Sequence, residues 1–319
     1  MSLYVSTRQL FAKDLKMTLN KAYIVMDVGG TFIKSGLMSA DGNLIDGSQQ
    51  TVPIDSDGPK DAICNSLTSA VSQGITLCKY YGYTPAGVGM CMPGPFDYIN
   101  GISSMVHKFA AIKGIPLNEV ISKVLDGLEI PIVFGHDVNT QLYGEMCGGN
   151  AKGFDNVCLV SLGTGLGFSM SNGGKILQTE TGSPLVSIWN QPYNGGILED
   201  YASKRGFYNT WEEVTGERPS EEFTVADIGR LAADGDRTAL EVFNRVGKFI
   251  GANIKDKLQQ HQIQCLLFGG QISRSFRFME DAIRKELVDI EGLKINTVSD
   301  FSNAAFKGLV EMLKEDSSA

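Results

Sequence analysis

Three apolar runs of this chain end in glycine-rich turns: "YIVMDVGGT" at 23–31, "VCLVSLGTGLG" at 157–167 and "CLLFGGQIS" at 265–273. The first two turns lead straight into further apolar runs, "FIKSGLM" and "FSMS". Each therefore reads as strand, tight turn and second strand. Behind the first hairpin, "PKDAICNSLTSAVSQGITLCKYYG" carries Ile63, Leu67, Ala70 and Val71 at helical spacing. "AGVGMCMPGPFD" follows as strand then loop, "PLNEVISKVLDGL" as helix and "IPIVFGHD" as strand. The second half repeats the theme. "TVADIGRLAADGDRTALEVFNRVGKFIGANIKDKLQ" is helical with a break at "DGD", and "NAAFKGLVEMLKED" closes the chain as a helix. A hairpin-led α/β unit that occurs twice restricts the fold to a duplicated α/β plan. The "DG" pair in "SADGNL" predicts a hairpin turn. "ETGSPLVSIWNQPYNGGILEDYASKRG", rich in turn residues, predicts an excursion in the second half.

The chain has 319 residues, 43% of them hydrophobic, enough for one large domain or two of ordinary size. Its net charge is −8 and its pI about 5.0, with both signs interspersed. No basic stripe is present, so nucleic acid is not an expected partner. No apolar run approaches the roughly 20 residues that span a bilayer, and the N-terminus has no signal-peptide core. No membrane partner is expected, and the expected location is the cytoplasm. Cys64, Cys78, Cys91, Cys147, Cys158 and Cys265 are scattered without a C-x-x-C pair, and read as buried free thiols of a reducing compartment. His107, His136 and His261 form no H-E-x-x-H pattern.

Glycine at a hairpin turn lets backbone N–H groups approach a phosphate without a Cβ in the way. Gly29, Gly30 and Thr31 offer this in the first turn, and Gly163, Thr164, Gly165 and Gly167 in the second. Asp27, at a strand end before two glycines, is a candidate for holding a hydrated Mg²⁺, because hard cations prefer carboxylate oxygen and keep water. Lys34 follows in the same hairpin. Neither turn is succeeded by G-K-[ST], and neither opens directly into a helix, so the Walker and dinucleotide fingerprints do not fit. "FGHDVNTQLYGE" sets His136 and Asp137 where a strand gives way to a helix; alone, Asp137 also reads as an N-cap.

In order along the chain, "MDVGGTFIKSGLM", "GVGMCMPGPFD", "HDVNTQLYGE", "VSLGTGLGFSM" and "LLFGGQIS" resemble the ROK family of repressors and sugar kinases, within the sugar kinase, actin and heat-shock chaperone superfamily. The resemblance runs from about Ala22 to the C-terminus. It implies an α/β fold of two ribonuclease-H-like (actin-like ATPase) domains around a nucleotide and sugar cleft. The expected division is an arm at 1–21, a smaller domain of 22–136 plus about 301–319, and a larger one of 137–300. By resemblance, the two glycine turns hold the phosphates of ATP, while Gly269 and Gly270 belong to the adenosine side. Asp137 acts as general base toward a sugar hydroxyl. His136, Asn139, Glu180, Glu199 and Gly94 of the "MPGPFD" loop contact the sugar. The implied activity is ATP- and Mg²⁺-dependent phosphorylation of a hexose or hexose derivative, by a homodimer.

The sequence departs from the family at its zinc motif. Ser183 stands where a histidine is usual, and Asn190, Pro192 and Ile197 where cysteines are usual. Amide, proline and isoleucine side chains offer no thiolate, so no zinc is expected. Packing or hydrogen bonding is expected to hold that loop. Met1 to Met26 is too short for the winged helix-turn-helix of the family's repressors. A regulator or sugar sensor without a DNA-binding domain is therefore the alternative to a kinase.

Overall fold

The computed structural model describes residues 20–220 and 222–317. Most of the expected arm at 1–21 lies outside them. Two compact units emerge: Met1–Gly144 with Thr179–Ser183 and Ala305–Ala319, and Glu145–Gln178 with Pro184–Ala304.

The first unit is built on a five-stranded sheet of order β3-β2-β1-β4-β7. Its strands are β1 (Lys21–Val28), β2 (Phe32–Ser39), β3 (Gln50–Pro53), β4 (Thr84–Cys91) and β7 (Ile132–Gly135). β1, β2 and β3 pair antiparallel, while β1, β4 and β7 run parallel. A small ribbon, β5 (Phe96–Asp97) and β6 (Ile102–Ser103), follows β4. Strand residues alternate between faces. Ala22, Ile24, Met26 and Val28 of β1 accordingly join one core with Ile63, Leu67 and Val71 of helix α1 (Lys60–Tyr81). Tyr23 and Val25 join another with the C-terminal helix, whose Leu309, Val310 and Leu313 meet them. Helices on both faces explain why β1 is apolar almost throughout. Helix α1 follows Pro59, carries Asp61 in its first turn and Lys79 in its last, and ends at Gly82 in the left-handed region.

Helix α2 (Leu117–Ser122) is shorter than its apolar spacing predicts. The next residues tighten into three-residue turns, and Asp126 and Gly127 then both take positive φ, which ends the helix. The "DG" turn forms at Gly42, but only Met38 and Leu44 bridge after it, and pairing resumes at Gln50.

The second unit repeats the plan in the order β10-β9-β8-β13-β14. Its strands are β8 (Val157–Leu162), β9 (Leu166–Asn172), β10 (Lys175–Ile176), β13 (Cys265–Gly269) and β14 (Lys294–Thr297), with a separate ribbon of β11 (Pro192–Tyr193) and β12 (Gly196–Ile197). One core joins Cys158, Val160 and Leu162 to Val242, Val246 and Ile250. The "DGD" break separates two helices, Val225–Ala233 and Arg237–Gln260; Thr224 and Asp227 form a capping box on the first, and Asp236 caps the second.

The chain passes from the first unit to the second within helix α3 (Asp137–Gly148), between Gly144 and Glu145. The expected division cut earlier, after residue 136. Asp137 to Gly144 stay with the first unit because α3 packs tightly there: a side chain on Gly308 would overlap the carbonyl of Thr140. Glu145, buried, opens the second unit; its carboxylate accepts from the backbone N–H groups of Asn150 and Ser299 and from the Ser299 hydroxyl.

Candidate active site

The register of the first sheet sets Asp27, Cys91 and Gly135 level across β1, β4 and β7. All three are at the carboxyl ends of parallel strands, the edge where open α/β sheets take ligands. Asp27 pairs across the hairpin with Lys34, so the two side chains share a face. Burial raises the Asp27 pKa, the charge of Asp137 raises it further, and Lys34 opposes both. Burial, then Asp27 and Asp137, also push the Cys91 thiol well up. Between β1 and β2 the N–H of Gly29 closes the turn on Phe32 O at 3.0 Å. The N–H groups of Gly30 and Thr31 carry no hydrogen bond among the described residues.

Asp137 opens helix α3, two residues beyond β7. Its side chain is 73% exposed. Although solvent reaches it, the protein packed around its base disfavours the charge; the neighbouring His136 imidazole and the Val138 N–H outweigh that and leave its pKa below the usual carboxylate range. One oxygen, Oδ1, accepts from Val138 N–H at 2.7 Å and lies 2.8 Å from His136 Nδ1. His136 Nδ1 is buried and has no hydrogen-bond partner among the described residues, so this contact is a close approach and not a hydrogen bond. The other oxygen, Oδ2, has no partner among the described residues. His136 is wedged between the Gly94 loop and Tyr98, whose ring it meets edge-on at 5.7 Å. Gly135 must lack a side chain because the Thr140 hydroxyl fills that space and bonds His136 O.

Glu180 lies exposed on the turn Thr179–Ser183. Asn139 donates to Gly182 O at 3.1 Å, and Tyr98 N–H donates to Thr181 O at 2.8 Å. Asn139 thus secures the turn that carries Glu180. Ser183 donates its N–H to Thr179 Oγ1.

In the second unit, the turn between β8 and β9 carries Gly163, Thr164 and Gly165, and Gly167 sits level with Ser161 and Gly269. Gly163 N–H bonds Gly165 O, while the N–H groups of Thr164 and Gly165 carry no hydrogen bond among the described residues. Glu199 supports the turn: its Oε2 accepts from Leu166 N–H at 3.0 Å, and its Oε1 lies 3.5 Å from Arg205. Gly270, at φ 78°, follows so close that a Cβ there would overlap the backbone of Leu162. Beside this turn lies a cavity of about 510 Å³, walled by helix Val225–Ala233 and the 3₁₀ segment Gln271–Phe278. Thr164, Lys204, Gly229, Gln271 and Arg274 line it. Sequence reasoning missed Lys204, Arg274 and Tyr98, which sit in no motif; the only cue was the position of Lys204 and Arg274 just after "EDYAS" and "GGQIS".

The loop that lacks the cysteines is held by aromatic packing. Tyr193, Tyr201 and Phe249 meet edge-on with centroids 4.9 to 5.9 Å apart. Tyr201 OH donates to Asn194 O, and Leu198 N–H to Gln191 O. Among the described residues, no group of three or more His, Cys, Asp or Glu side chains is arranged to hold a metal. No helix there is long and apolar enough to cross a membrane.

The chain is similar to a glucokinase of Streptomyces coelicolor, 26% identical over 82% of this chain and 86% of that one. It is also similar to the xylose repressor of Bacillus subtilis, 23% identical over 82% of this chain and 67% of the other. Its fold matches the crystal structure of a ROK family glucokinase from Streptomyces griseus in complex with glucose and AMPPNP, with a TM-score of 0.74 and 21% identity over 92% of this chain and 99% of that one. Residues 23–301, well over half of the chain, match the ROK family, and the chain therefore belongs to the ROK family.

Proposed function

We propose that this protein transfers the terminal phosphoryl group of ATP to a hydroxyl of a hexose or hexose derivative, in the cytoplasm. The observation that carries the reading is Asp137: a carboxylate held ionised, with one oxygen engaged and Oδ2 free, at the carboxyl ends of the parallel strands. In this reading the sugar hydroxyl attacks the γ-phosphorus, its proton passes to Asp137 Oδ2, and ADP leaves. General-base help of this kind is worth about 10²–10⁴-fold. Positioning supplies the rest. The free amides of Gly30 and Thr31, and of Thr164 and Gly165, bind phosphate oxygens, and the cavity beside Thr164 takes the adenosine end. Its volume suits a ligand of that size. Glu180 and His136 contact the sugar.

Asp27 fits a hydrated Mg²⁺. Its negative charge is disfavoured by burial and by Asp137, which is a situation that a cation relieves. When bound, the ion neutralises phosphate charge.

The test is ADP release over hexoses, N-acetylhexosamines and disaccharides, with wild type and Asp137→Asn. We expect sugar-dependent release by the wild type, lost by about 10²-fold or more in the variant, with sugar binding retained. Sugar affinity lost with turnover intact would overturn the base assignment. Sugar binding by the wild type without any ADP release would favour a sensor, a reading that the likeness to a repressor supports.

A further inference from the structure

The first glycine turn has a cation beside it that belongs to none of the motifs above. The Nζ of Lys108 lies 3.7 Å from where a Cβ of Gly30 would sit, and Ser56 Oγ lies 3.2 Å from the same point. Two backbone hydrogen bonds tether the chain beside Lys108 to this turn. Ser56 N–H donates to Gly30 O at 3.0 Å, and Phe109 N–H donates to Ser56 O at 2.7 Å. Phe109 is fully buried and sits in the left-handed region at φ 54°, a conformation a bulky residue seldom adopts. The residue after Lys108 is thus pinned to the turn through Ser56, and buried Met105 anchors the segment from the other side. Lys108 itself is exposed and makes no ion pair with any described residue.

A lysine with no carboxylate partner, held over a turn whose two tip amides also lack partners, forms a ready-made anion contact: two N–H donors and an ammonium at one place. Lys34 is already opposed to Asp27, whereas Lys108 has no carboxylate partner among the described residues and can meet an incoming anion at this turn. We infer that Lys108, with Ser56 beside it, binds the terminal phosphoryl group at the first glycine turn. This rests on the phosphotransfer reading above. The chemistry recognised is a tetrahedral phosphate oxyanion, not the sugar and not the base of the nucleotide.

The experiment measures ATP, ADP and adenosine binding, and turnover, on the full chain for wild type, Lys108→Met and Lys108→Arg. A hydrogen bond to a charged group predicts that Lys108→Met weakens ATP binding by about 10- to 100-fold. Adenosine affinity and melting temperature should stay unchanged. Lys108→Arg should recover most of the loss, which a purely structural role would not explain. If wild type binds ATP and Lys108→Met matches it within about twofold, the inference fails while the phosphotransfer reading stands. An equal loss for ATP and adenosine also overturns it, since the effect is then not on the phosphoryl group. If wild type binds no ATP at all, the phosphotransfer reading falls and the role of Lys108 falls with it.

Discussion

The first glycine turn lies among charges: Asp27 before it, Lys34 across from it, Lys108 above Gly30 and Asp137 near enough to raise the Asp27 pKa. The second lies among hydrogen bonds: Glu199 accepts from Leu166 N–H, Gly163 O accepts from Lys204 N–H, and Gly270 presses on Leu162. Both arise from the same strand-turn-strand frame, at the same edge of the same sheet order. The frame alone therefore does not decide what a turn does; the side chains delivered by later segments do. In the first unit those segments bring charged side chains to the turn, and in the second they bring hydrogen-bond support.

The sharpest test of that contrast is a matched pair of glycine substitutions. Gly270→Ala forces a Cβ onto the Leu162 backbone at φ 78°, and should cost about 3 kcal/mol of stability by denaturant unfolding. Gly30→Ala comes tightly against only the Ser56 hydroxyl, which can rotate away, and meets Lys108 Nζ and Ser56 Cβ at ordinary contact distance; stability should move by about 0.5 kcal/mol or less, while ATP affinity falls. Equal destabilisation by the two would break the comparison.

Next in size is Glu199→Ala. It leaves Leu166 N–H without its acceptor, and should cost about 1–3 kcal/mol, with weaker nucleotide binding. Calorimetric unfolding that leaves the melting temperature in place would show that Glu199 is not the support of the second turn.

The smallest effect expected is on Asp27. Its folded-state pKa lies above the unfolded one, so its charge opposes folding once pH exceeds the ordinary carboxylate range. Asp27→Asn should therefore melt slightly higher than wild type at neutral pH while losing activity, and the gain should vanish as the pH falls through that range. Asp137, with its pKa lowered, has the opposite sign: its contribution is present above the unfolded value and is lost as pH falls through the folded one. Melting temperatures of both Asn variants across pH check the pair.

Much of this was legible in the chain itself. Apolar runs of strand length in β1 and β8 and the glycines after them marked strand, turn and strand, because such runs and turn geometry are local properties of sequence. The "HDVN" stretch marked a carboxylate at a strand end for the same reason. The sequence by itself also determined that the 190–197 loop has no cysteines, and thus that something other than a thiolate site holds it. Only the tertiary structure decided what: Phe249, more than fifty residues beyond Tyr193, completes the aromatic trio. Likewise Lys108 is 78 residues from Gly30 in the chain, and no period or motif links them. Asn139 and Glu199, which the resemblance assigns to the sugar, also hold turns in place through Gly182 O and Leu166 N–H, contacts that no motif shows. Such pairings follow from how strand register and helix packing close long loops, and a contact made across a long loop leaves no trace in the local pattern of residues.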